Sequence, residues 1–144
     1  MNHWSGNWAW SLPLIVVTVT FHVLCMTFIN GEVVRRARAR RARRDFILRF
    51  ALIMGVTTLL VTLLHAIEAF MWAAVFWLLG ALPDSKNAML YSLNAMTTYG
   101  HESFLLADHW RLMGALEALN GVILFGLTTA FLFAIIGEIW KKEP

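Results

Sequence analysis

Two ionisable side chains, His65 and Glu68, stand three residues apart in the apolar run LVTLLHAIEAFMWAA. That spacing puts them on one face of a helix. Ionisable groups in such surroundings face protein or water and have partners. They admit two readings, a proton-sensing or ion-pathway pair, or a structural pair bonded to a neighbouring short helix or subunit. The structural reading is the expectation adopted. Zinc takes three or four ligands, so these two residues alone make a weak metal site. Glu117 and Asn120 repeat the three-residue spacing in a later apolar segment. His22 stands alone in the first segment and reads as a neutral, packed histidine or one touching another helix. Thr128 and Thr129 offer hydroxyls, although threonine in membrane helices also bonds back to its own backbone.

A third group is the hydroxyl-rich run Thr97-Thr98-Tyr99-Gly100, followed by His101 and Glu102. Asp84 or Ser85 can cap a short helix ahead of it, and Met89, Leu90, Leu93 and Met96 recur at helical spacing. This stretch is too short to cross a bilayer. A short helix ending in Thr-Thr-Xaa-Gly between two long apolar segments predicts a re-entrant loop, because irregular backbone at membrane depth must be buried in protein or line water. The helix C-terminus would direct partial negative charge towards a cation.

The elements that must hold these residues follow from composition. The 144 residues are 59% hydrophobic and 15% charged, with a mean hydropathy of +0.64, against roughly a quarter charged in soluble domains. That excludes a soluble globular domain, a disordered tail and a disulfide scaffold. Cys25 is the single cysteine. Long apolar segments run from Ser11 to Ile29, Phe46 to Leu82 and Trp110 to Trp140. Each is about the 20 residues a bilayer requires, or longer. Trp4, Trp8 and Trp10 precede the first, where a signal peptide would be basic. Trp72, Trp77, Trp110 and Trp140 suit interface anchors and packing.

Ten of the twelve basic residues belong to Arg35–Arg44, Arg49, Lys141 and Lys142. By the positive-inside rule this predicts three spans, with the N-terminus outside and the C-terminus cytoplasmic. The expected location is a cell inner membrane. Arg35–Arg44 reads as a topology determinant lying on anionic lipid headgroups, not as a nucleic-acid site. Nothing matches a phosphate-binding glycine loop, a nucleophile elbow or a cysteine metal framework, so no enzyme and no cofactor are expected.

The stretches AMLYSLNAMTTYGH and DHWRLMGALEALNGVILFGLTTAFLFAII resemble the pore domain of tetrameric potassium channels, in particular small bacterial subunits with two pore-forming helices. The resemblance covers about residues 50–140. It implies an all-α membrane protein with three transmembrane helices plus a re-entrant pore helix and filter loop. An N-terminal unit, 1–45, would precede a pore domain, 46–144. Within the latter it implies an outer helix over 46–82, a pore helix and filter over 84–103, and an inner helix over 110–140. It implies a homotetramer conducting K+ or Na+ through a filter of Thr97, Thr98, Tyr99, Gly100, His101 and Glu102. Asp108 would sit at the outer mouth, His65, Glu68, Glu117 and Asn120 would support the filter, and Gly121 and Gly126 would be inner-helix hinges. The family filter reads T-V-G-Y-G. Here His101 replaces its tyrosine and Glu102 its second glycine, so the outer carbonyl rings depart from the family. The rival expectations are a non-conducting channel-like scaffold or pH sensor, and an accessory subunit of another channel.

Overall fold

A computed structural model describes residues 3–38, 46–100 and 105–140. His101, Glu102 and most of the Arg35–Arg44 cluster lie outside the described residues. The described chain is α-helical apart from its connections, with α1 (His3–Arg38), α2 (Phe46–Leu78), the short α3 (Ser85–Met96) and α4 (Arg111–Trp140). A 3-10 turn, Asp108–Trp110, leads into α4. Three stretches, Trp4–Val33, Ile47–Leu78 and Asp108–Trp140, are long and apolar enough to cross a membrane, which fits a multi-pass membrane protein.

Helix α1 is longer than the Ser11–Ile29 segment that hydropathy marks. It begins eight residues earlier and runs through Pro13, which has no N–H to offer the carbonyl one turn back. Its buried residues include Asn7, Ser11, Thr18, His22, Met26 and Val33, one stripe at spacings of three and a half to four residues. The opposite face carries Leu12, Val16, Val17, Leu24 and Phe28, all exposed. The amphipathicity is therefore inverted relative to a soluble helix, with polar groups turned inward. Helix α1 packs on both α2 and α4.

Helix α2 stops at Leu78, four residues before the expected boundary. Gly80 adopts a positive φ of 65°, a conformation that suits glycine and turns the chain. Asp84 then caps α3, its carboxylate accepting from the backbone N–H of Asn87 at 2.8 Å. That N-cap bond satisfies one of the donors a helix start leaves unpaired.

Helix α3 packs between α2 and α4. Ala88, Tyr91 and Ala95 join Trp72, Phe76 and Met113 in the largest apolar cluster. Phe76 and Tyr91 meet edge-to-face with centroids 5.4 Å apart, a favoured aromatic geometry. Two small residues permit the close approach of α3 to α4. A methyl group on Gly114 would strike the Tyr91 hydroxyl, and one on Gly121 would strike the Met96 carbonyl. Gly126 faces open space, and α4 is one continuous helix through both Gly121 and Gly126.

Gly121→Ala should push α3 off α4 and destabilise the protein by roughly 1–3 kcal/mol, an overpacking cost. Gly126→Ala should be neutral or stabilising by up to about 1 kcal/mol through helix propensity. Thermal unfolding of both variants in one detergent measures the difference.

Candidate functional site

The residues with chemical potential gather in two places. The first is a closed ring of side chains from α1, α2 and α4. His22 Nδ1 lies 2.8 Å from Glu68 Oε1, and His65 Nδ1 lies 3.0 Å from Glu68 Oε2. On the far side of the imidazoles, Thr128 Oγ1 is 3.0 Å from His65 Nε2 and 3.2 Å from His22 Nε2. The side chains of His22 and Glu68 are fully buried, and that of His65 is 12% exposed. His22, His65 and Thr128 come from the middle third of their candidate spans, and Glu68 lies just beyond it.

One sequence expectation is corrected here. His65 and Glu68 do form a pair, but their further hydrogen bonds run to α1 and α4, not to α3. His22 is the histidine that touches another helix, bonding to Glu68 of α2 from 46 residues away. Thr128 and Thr129 also separate. Thr128 is buried between the two histidines, whereas Thr129 is exposed and bonds back to the Phe125 carbonyl. The inward stripe of α1 held the signal for His22, since a histidine in register with Asn7, Ser11 and Thr18 belongs to a polar face that must find partners.

The ring is sealed by apolar neighbours. Phe125 stacks on His65 with centroids 4.4 Å apart. Met26, Val61 and Leu64 form a buried cluster with Cys25 and Phe131 packed against it. The donor atoms of His22, His65 and Glu68 lie within 4.8 Å of one another, a set that zinc accepts. A divalent ion on an ionised Glu68 and two neutral imidazoles would carry +1, which a hydroxide in zinc's fourth position would neutralise. Without an ion, the three groups and Thr128 lie within hydrogen-bonding distance of one another.

Further polar pairs tie α1 to α4. Asn120 donates to the Thr18 hydroxyl at 2.8 Å. Asn7 accepts from the backbone N–H of Met113 at 2.9 Å and donates to the carbonyl of His109 at 2.7 Å. It thereby satisfies a donor in the first turn of α4 from another helix. Sequence reasoning did not single out Asn7 or Thr18. Asn120 thus serves the α1 contact. Glu117 is fully buried towards Ser92 and Tyr91 of α3, with no hydrogen bond to either carboxylate oxygen among the described residues.

The second place is the end of α3. Thr97 caps the helix, and its hydroxyl bonds back to the Leu93 carbonyl at 2.7 Å. Thr98 has a positive φ of 55° and Gly100 one of 100°. The left-handed region is ordinary for glycine but an outlier for β-branched threonine. Thr97 to Gly100 are exposed, Tyr99 at 86%. The chain then returns, and the Ala107 N–H donates to the Ala81 carbonyl at 3.3 Å. Asp108 is exposed and pairs with Arg111 at 2.7 Å, a surface ion pair of small energetic weight. Gly121 lies against Met96, whereas Gly126 touches neither place.

No family model, curated protein or solved structure matches this chain. The reading of function therefore rests on these two arrangements.

Thr128→Val keeps side-chain shape and removes the hydroxyl shared by both histidines. It should destabilise the protein by about 1–3 kcal/mol, the cost of leaving buried polar atoms unpaired. Thr129→Val, outside the ring, should change stability by less than about 0.5 kcal/mol. Parallel thermal unfolding curves test the contrast.

Proposed function

We propose that the protein is a cation-conducting channel, a homotetramer whose pore is lined by the chain that follows α3. One observation carries the reading. The C-terminus of α3 abuts Gly121, ten residues into α4, or roughly 15 Å along its axis, and the chain then returns to pair with Ala81. With α4 crossing the membrane, α3 would enter it and end near mid-depth, where Thr97–Gly100 continue as non-helical backbone. The exposed carbonyls of such a segment cannot face lipid, so they face water, ions or neighbouring subunits.

The left-handed Thr98 supports the same reading. Backbone strain of about 1–3 kcal/mol persists where surrounding structure enforces it, and functional sites are common places for it. Carbonyls around Thr98–Gly100 would replace part of a cation's hydration shell. The negative end of the α3 dipole would favour positive charge there. His101 and Glu102, at the family's Tyr and Gly positions, distinguish this filter from a potassium-selective one. Their expected consequence is weak selectivity, with Glu102 and Asp108 concentrating cations at the mouth. In this orientation the N-terminus lies outside, and Arg35–Arg44 faces anionic lipid on the cytoplasmic side of an inner membrane.

A non-conducting, proton-responsive membrane protein is the second reading, favoured by the buried ring of His22, His65, Glu68 and Thr128.

Ion flux into liposomes carrying the purified protein separates the two. Tetramers should pass monovalent cations, and Thr98→Ala should change the K+/Na+ permeability ratio several-fold while leaving assembly intact. Folded protein that passes neither monovalent nor divalent cations anywhere between about pH 5 and 8, where histidine titrates, would refute conduction. Recovery only as monomers or dimers in mild detergent would refute the central pore.

A further inference from the structure

The ring of Glu68, His22, Thr128 and His65 has four edges, each a pair of hydrogen-bonding atoms 2.8–3.2 Å apart. Each edge needs one proton between its two atoms. An ionised carboxylate brings none, two neutral imidazoles bring one each, and a hydroxyl brings one. That makes three protons for four edges. The ring as observed would then hold two lone pairs face to face at hydrogen-bonding distance, in a buried site where an unmade bond is costly.

One additional proton closes the ring. It can reside on either imidazole, facing an ionised Glu68, or on Glu68 with both imidazoles neutral. In every arrangement the net charge is zero, the state favoured away from water. We propose that His22, His65, Glu68 and Thr128 form a proton-binding site that holds one proton above pH 6.5, where the same groups in water would hold none. Release of that proton to water leaves a charge of −1 and one edge without a hydrogen bond, which loosens the junction of α1, α2 and α4. This inference stands on the ring geometry and does not rest on ion conduction.

Few other titratable groups bear on the ring. On α1, Cys25 lies within electrostatic reach of Glu68. On α4, Glu117 lies eleven residues from Thr128, roughly 16 Å along the helix. Helix α2 has no further titratable residue between Val61 and Trp72. From α3, Tyr91 bears on Glu117, and Lys86 is in the first turn.

Linkage gives a signed test. Above about pH 6.5, where unfolded histidines are neutral, the folded protein holds one proton more than the unfolded chain. Stability therefore falls as pH rises, and the unfolding equilibrium constant grows by about tenfold per pH unit until the ring releases its proton. Below about pH 6.5 the unfolded chain carries two histidine protons against one in the ring, so stability falls on acidification as well.

Glu68→Gln supplies the missing proton covalently, because its amide donates to one imidazole while its carbonyl accepts from the other. Thr128→Val abolishes two edges and with them the need for a fourth proton. The experiment follows unfolding of the full chain in detergent from pH 5.5 to 9, with Cys25→Ser present throughout to remove the thiol. With the native ring, the unfolding constant should rise about tenfold per unit above pH 6.5. With Glu68→Gln that rise should be absent, and with Thr128→Val, where only the buried Glu68 charge still favours the proton, it should end at a lower pH than with the native ring. A flat profile for the native ring between pH 6.5 and 8 overturns the proposal, and this needs no folded variant. So do profiles for the folded variants that parallel the native one, or a stoichiometric transition metal whose chelation removes the stability of the native protein.

Discussion

The structure depends on the absence of water from the interior of a bilayer. A polar group there must find its partner within the protein, and the inward-facing polar stripe of α1 is the clearest consequence. Asn7, Thr18 and His22 each bond to another element, reaching His109 and Met113, Asn120, and Glu68 in turn. These contacts lie at successive levels along α1, so the helix is fixed in depth and rotation by hydrogen bonds. Its apolar side chains, facing outward, could slide or rotate in lipid at little cost. A soluble helix of the same length would be held by the opposite pattern.

Steric economy at the α3–α4 contact is the second organising feature. Apolar side chains gain little by leaving lipid for protein, so membrane helices associate through close packing and hydrogen bonding, with small residues at the contact. Gly114 and Gly121 admit Tyr91 and the Met96 backbone where any side chain would collide. This seats the end of α3 deep against α4 and leaves Thr97 to Gly100 projecting from it. Glycine thus acts here through the volume it lacks, in a helix that stays continuous.

The two arrangements share α4. On its buried face Glu117, Asn120, Gly121, Leu124 and Thr128 follow at spacings of one to four residues. Going down the helix they meet α3, then α1, then α3 again, and finally the histidine ring. Displacement of α4 would therefore be felt both at the end of α3 and at the ring. The ring and the seat of the α3 end are thus built on one continuous helix.

Much was legible in the amino-acid sequence because it depends on local chemistry. Long apolar runs fixed three helices, since the backbone can satisfy itself in lipid only that way. Asp84, followed by helical spacing of Met89, Leu93 and Met96, marked α3 through capping and periodicity. The pairing of His65 with Glu68 was readable from a three-residue interval. What tertiary structure alone decided was which distant groups meet. His22 and Thr128 are 106 residues apart, and no interval in the sequence joins them. Only the packing of α1 against α2 and α4 turns a pair into a closed ring. Likewise, Gly121 has the look of a hinge in sequence, and only the approach of the Met96 carbonyl shows why a side chain is excluded there. Helices follow from bonds between near neighbours, whereas sites follow from helix faces that meet across the fold.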